Sequence, residues 1–178
     1  MSGPIDLWRP VADKWTDVYD QVRETDWDRP TPCSEWTVRD LVEHNLHWQA
    51  TGGAMLGAAT GAGDDWRAIR AAYAAHLADP SNLDGTVEEF ARIPRQQLAA
   101  FLIGDLLIHS WDLARAIGAD EVLPPVAVEA TMGGLQHVPP ELLRGHNPLG
   151  QAMMGPAIDI SDDASLQDRM LAYSGRRP

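Results

Sequence analysis

The sequence predicts an all-α protein, a bundle of four or five helices joined by connections of ordinary length. Two observations carry that expectation. Apolar residues recur at steps of three and four along several long segments, and those segments are bracketed by residues that start and stop helices. One short stretch, residues 85–93, departs from the pattern. A chain of 178 residues with 44% apolar residues and seven tryptophans has material for one core and too little for two domains of ordinary size. Residues 1–178 are therefore expected to form one domain, irregular from about residue 139 onward.

The first helix is expected within residues 5–24, where Leu7, Val11, Trp15, Val18 and Val22 share a face. Two prolines a residue apart, Pro30 and Pro32, make Asp28 to Cys33 a loop. Thr37, with Asp40 three residues later, forms a capping-box variant that opens a helix over Val38 to Leu56, its last turns weakened by Gly52-Gly53. A third helix runs from Trp66 to Leu77, between Asp64-Asp65 and Asp79-Pro80. Gly85 to Ile93 reads either as a short strand or as an extended connection. Pro94 then opens a long fourth helix, Arg95 to Ile117, which Gly118 stops. Shorter helices are expected at Val126 to His137 and at Ala164 to Tyr173.

Two of these helices carry polar rows on faces that are otherwise apolar. Asp40, His44 and His47 lie at i, i+4 and i+7 in one; Asp105, His109 and Asp112 do so in the other, on a stripe continued by Leu98, Leu102 and Ala116. Burying such groups unpaired costs several kcal/mol, and a metal ion shared between helices is one way to satisfy them. His44, Asp105 and His109 supply the three His and carboxylate ligands of a catalytic divalent site, with His47 and Asp112 beside them to orient a ligand. Asp40 is committed to the helix start. The competing reading has the same histidines as core-edge residues hydrogen-bonded to Asp105 and Asp112. Trp48 and Trp111 adjoin the proposed ligands and are candidates for pocket walls.

The remaining chemistry is sparse. A net charge of -12, from 26 acids and 14 bases, opposes binding to nucleic acid or to an anionic membrane. No apolar run is long enough to span a bilayer, and the first residues lack the features of a signal peptide, so the cytoplasm is the expected location. Cys33 stands alone, which excludes an intrachain disulfide; it reads as a small buried residue unless Arg29 or Arg39 lies close enough to activate it. His76, His137 and His146 read as helix-end or loop residues. There is no phosphate loop, nucleophile elbow or dinucleotide fingerprint.

The stretches Thr31-Pro-Cys-Ser-Glu-Trp-Thr-Val-Arg-Asp-Leu-Val-Glu-His44 and Asp105-Leu-Leu-Ile-His-Ser-Trp-Asp-Leu-Ala-Arg-Ala-Ile-Gly118 resemble the N-terminal domain of mycothiol-dependent maleylpyruvate isomerase, a branch of the DinB-like superfamily. The tail around Met154 to Arg176 is similar to that of a short actinobacterial subfamily of uncharacterised metal-binding proteins. The resemblance implies a DinB-like four-helix bundle, here with an additional short helix or extended segments. It also implies a divalent ion, zinc or nickel, held by His44, Asp105 and His109. Where the isomerase has Glu, this chain has Asp105, one methylene shorter. The isomerase's further C-terminal domain, which helps form its substrate site, has no counterpart by residue 178, so isomerisation of maleylpyruvate itself is not expected.

The function expected on these grounds is a metal- and thiol-dependent transferase or isomerase, with a small thiol such as mycothiol and a small electrophile as partners. Arg92, Arg95 or Arg115 would receive a carboxylate. The alternative is a non-catalytic metal-binding protein that senses or docks. Bundles of this kind often pair through an apolar face, so a homodimer is compatible with the chain, although no residue pattern requires one.

Overall fold

A computed structural model describes residues 4–90, 92–146, 154–161 and 163–178. The fold is all-α and DinB-like, with one two-stranded hairpin. In chain order the helices are α1 (Pro4–Tyr19), α2 (Val38–Leu56), α3 (Trp66–Leu77), α4 (Arg95–Ile117), α5 (Pro125–Gln136), the single turn α6 (Pro140–Leu143) and α7 (Leu166–Tyr173). Helix α4 packs on both α1 and α2, and α3 packs on the same pair, so the four close a ring in which α3 and α4 are diagonal. Helix α5 lies against α4 and α1, and α7 lies against α5. Among the described residues no helix is long and apolar enough to cross a membrane.

Local chemistry explains most of the boundaries. The Thr37 hydroxyl accepts from the Asp40 N–H at 3.3 Å while the Asp40 carboxylate accepts from the Thr37 N–H at 2.8 Å, a closed capping box at the start of α2. Asp65 caps α3 by accepting from the Ala68 N–H at 2.9 Å. Gly118 ends α4 with a left-handed φ of 76°. Helix α1 is shorter than the apolar stripe suggests. The chain turns after Tyr19 because the buried Asp26 carboxylate draws in the Arg23 backbone N–H at 3.0 Å and the Arg23 guanidinium at 2.9 Å, closing a 3₁₀ turn over Glu24–Asp26. Val22 still packs against the core from that turn.

Residues 85–93, left open between strand and connection, contribute to a minimal antiparallel hairpin. Thr86–Val87 pairs with Ile93–Pro94, with Val87 opposite Ile93. Its buried Val87 and Phe90 face the bundle.

The core is rich in indole. Trp8, Trp15, Trp48 and Trp111 are all almost wholly buried, and Trp8 stacks on Tyr73 at 4.4 Å between α1 and α3. Gly52-Gly53 does not fray α2, because the pair marks its closest approach to other helices. A Cβ on Gly52 would stand 2.5 Å from Leu102 of α4, and one on Gly53 would stand 2.8 Å from the Tyr73 ring of α3. Gln49 fixes the same crossing by donating to the Leu102 carbonyl at 2.9 Å. Gly52→Ala is therefore expected to destabilise. Overpacking costs about 1–3 kcal/mol, which outweighs the ~1 kcal/mol gained in helix propensity. A higher urea midpoint in the variant would show that the helices are not in close contact here.

Candidate metal centre and the cleft around it

The ring of helices brings two distant segments of the chain face to face. His44 projects from the second turn of α2, and Asp105 and His109 from consecutive turns of α4. Each offers a donor atom, and the three donors lie within 4.8 Å of one another. His109 Nε2 is 3.5 Å from Asp105 Oδ1, while Asp105 Oδ2 is buried without a hydrogen-bond partner among the described residues. His44 makes no hydrogen bond among the described residues. Its ring lies 4.6 Å from the Trp36 ring and 5.2 Å from the His109 ring. An orphaned carboxylate oxygen beside two imidazoles is an incomplete arrangement. Its N, N, O donor set suits a divalent transition metal or zinc.

The far side of His109 is fully engaged. Its Nδ1 lies 2.9 Å from Asp112 Oδ2, and because a carboxylate only accepts, Nδ1 carries the proton. That leaves Nε2 directed at Asp105 and His44. Asp112 is itself wholly buried and is clamped by Arg176, which donates from Nη2 at 2.8 Å and from Nε at 3.2 Å. The Cys33 thiol donates to the same carboxylate at 3.3 Å and sits 3.4 Å from Arg176 Nη2. Cys33, His109 and Asp112 thus form a second group of metal-ligand type. In that group the guanidinium already stands as the neighbouring cation, and Asp112 serves to hold the His109 ring.

Charge states follow from this arrangement. Burial, reinforced by the His109, His47 and Arg176 charges, pushes His44 down to about 4 despite the attraction of Asp105, so it is a neutral imidazole at pH 7. Burial also disfavours an imidazolium at His109, but Asp105, Asp112 and Cys33 together raise it to about 10. Burial works against the Asp112 carboxylate as well, and Arg176 and His109 still hold it down to about 2. One neutral and one protonated imidazole therefore share a site of two carboxylates.

These groups form one end of a cleft of about 370 Å³, walled by Cys33, Trp36 and Trp48 and closed by Gly155, Gly175 and Arg176 of the tail. Gly175 has a φ of 89°, and a Cβ there would stand 3.1 Å from Gly155, so the tail crosses itself only with hydrogen at this position. That crossing carries Arg176 over Asp112.

The structure separates the other sequence-based candidates. Trp48 borders the cleft; Trp111 is buried away from it, with the Arg115 guanidinium 4.2 Å from its ring centre. Asp112 orients the His109 ring, whereas His47 is exposed and makes no hydrogen bond among the described residues. None of the three expected carboxylate receivers reaches the cleft. Arg92 pairs with Glu88, Arg95 donates to the Leu56 carbonyl that ends α2, and Arg115 pairs with Glu121. Arg29 and Arg39 lie against Asp26 and Asp28 rather than Cys33. The arginine at the site is Arg176, which periodicity does not reveal because it follows α7 in irregular chain.

Residues 8–106 match the model of a family described as the mycothiol maleylpyruvate isomerase N-terminal domain. The match takes in His44 and Asp105 and stops short of His109. Two uncharacterised proteins of Mycobacterium tuberculosis, from different strains, are each 26% identical over 188 residues, with 97% of this chain and 97% of each relative covered. No solved structure matches.

Proposed function

The chain belongs to the mycothiol maleylpyruvate isomerase N-terminal domain family, and from that premise we propose that it is a divalent-metal protein acting as a thiol-dependent transferase or isomerase on a small electrophile. In this reading residues 1–178 work as one domain, and His44, Asp105 and His109 hold zinc or nickel. The observation that carries it is the meeting of three donors within 4.8 Å beside a buried carboxylate oxygen that no hydrogen bond satisfies. A divalent ion in that position would supply the positive charge that stabilises a thiolate, the nucleophilic form of mycothiol or a similar small thiol.

The chain's own groups prepare such a site. Neutral His44 offers a lone pair at physiological pH. Asp112 holds the Nδ1 proton of His109 and keeps Nε2 turned toward the cleft, and Arg176 keeps Asp112 charged. Trp36 and Trp48 give the cleft apolar walls that restrict water. The second reading, a metal-stabilised sensing or docking protein, needs a coordination sphere closed by protein groups. Cys33 favours it, as a soft donor that groups with His109 and Asp112 beside the site.

Metal content by plasma mass spectrometry on untagged protein tests the shared premise; near-stoichiometric zinc or nickel is expected. Removal by chelator should then lower the melting temperature, since an ion bound only by the folded state stabilises it. Protein that stays metal-free after incubation with either ion would refute both readings. The spectrum of cobalt-substituted protein separates them: a change on adding thiol supports the enzyme, and none at saturating thiol supports the closed site.

A further inference from the structure

Behind the cleft lies a larger cavity of about 530 Å³, and the two spaces share Phe101, Asp105, Ile108 and Met154. Its walls come from α4, α5, α6, the hairpin, Leu7 of α1 and the segments around Val138 and Met154, and they are mostly apolar. Among the described residues no arginine or lysine lines it. We propose that this cavity receives the apolar part of an uncharged electrophilic substrate, an aliphatic chain or an aromatic ring, whose reacting end passes Asp105 into the cleft. Only the placement of the reacting end rests on the metal-dependent reading above.

Three observations support the assignment. Size and lining are those of a small-molecule site: a few hundred cubic ångströms of mostly apolar wall with isolated polar groups, here Gln97, Asp105, Thr131 and the exposed histidines His137 and His146. Continuity comes from α4, where Asp105 and Ile108 lie one turn apart and border both spaces, so a single molecule can occupy the two at once. The third observation is Gly134. Glycine inside a helix is unfavourable and is usually explained by a close neighbour, as at Gly52, or at Gly104, where a Cβ would stand 3.1 Å from Thr131. Gly134 sits in α5 on the cavity wall, and a Cβ there would meet nothing within 4 Å. Gly133 beside it also meets nothing but lies off the lining, so Gly134 is the exposed position in α5 from which a larger side chain can enter the cavity.

The lining also decides what is refused. A carboxylate entering this space would lose its hydration with no arginine or lysine among the described residues to receive it. Arg176, the arginine of the adjoining cleft, is already bidentate on Asp112. Dicarboxylate substrates therefore fit poorly, and neutral apolar ones fit well.

The test fills the cavity from α5. Nile red, a neutral apolar dye, is titrated into chelator-treated protein as wild type, Gly134→Leu and Gly133→Ala. Saturable binding is expected, weakened at least about tenfold in Gly134→Leu by loss of the apolar volume. It should be unchanged in Gly133→Ala, which raises helix propensity off the lining. Absence of saturable binding to the wild type, or equal binding to all three, would overturn the proposal whatever the metal content. On zinc-loaded protein, octanohydroxamate should bind at least about tenfold tighter than acetohydroxamate, because its methylenes are buried. Gly134→Leu should abolish that difference. Equal affinities in the wild type would show that the cavity does not serve the cleft. Failure to load zinc counts against the metal reading alone, and the dye titration still decides the cavity.

Discussion

His109→Ala is expected to abolish stoichiometric metal binding, with affinity falling by well over a hundredfold. Changing a residue that merely orients a ligand already costs about 10–100-fold, and His109 is both a donor and the piece that joins Asp105 to Asp112. Metal analysis beside a circular-dichroism melt separates loss of the ion from loss of the fold. His47→Ala is the matched control: it removes an exposed histidine one turn beyond His44 and should keep its metal. Retention of metal by the His109 variant would refute the assignment of the site. The sign of the pH effect is also set. In the metal-free protein His109 is held protonated, near 10, so an incoming ion must displace a proton. Metal affinity should rise with pH through the neutral range, with proton release measurable in a weakly buffered solution. His44, already neutral above about 4, adds nothing to that slope.

Arg176→Met is expected to be the most destabilising change in the tail. Asp112 is wholly buried, and Arg176 supplies two of the hydrogen bonds to its carboxylate. Removing one partner of such a pair costs about 3–5 kcal/mol, because the remaining charge is left in a poor medium. For a chain of this size that corresponds to a fall in melting temperature of roughly 6–20 °C. Adding Asp112→Leu should recover part of the loss, since it removes the stranded charge, but not all of it, because the His109 Nδ1 proton then lacks its acceptor. A melting temperature unchanged in Arg176→Met would mean that water reaches Asp112.

What the chain reveals before folding depends on how local the cause is. The bounds of α2, α3 and α4 follow from Thr37, Asp65 and Gly118, whose effects are felt within one turn. The meeting of His44 with Asp105 and His109 is legible because a polar row on an apolar stripe has few ways to be satisfied. The end of α1 is less legible, since it turns on Asp26 capturing Arg23 across a bend. Arg176 was out of reach for a different reason. Its position depends on the Gly155–Gly175 crossing, a contact between irregular segments with no period to read. Arg92 and Arg115 pair with the nearby Glu88 and Glu121, and Arg95 reaches the carbonyl of Leu56 at the end of α2. The apolar cavity has no period to read, because its lining is gathered from α1, α4, α5, α6 and the hairpin.

The network around Asp112 also constrains the order of events in folding. Its links span 79 residues to Cys33 and 64 to Arg176, and the α2–α4 crossing that positions His44 spans 53. Closing such loops costs entropy that local helix formation does not recover. The donors therefore meet only after the bundle has closed, unlike those of small zinc modules that assemble around their ion. A ligand that recognises only the finished arrangement retards unfolding and leaves the refolding rate nearly unchanged.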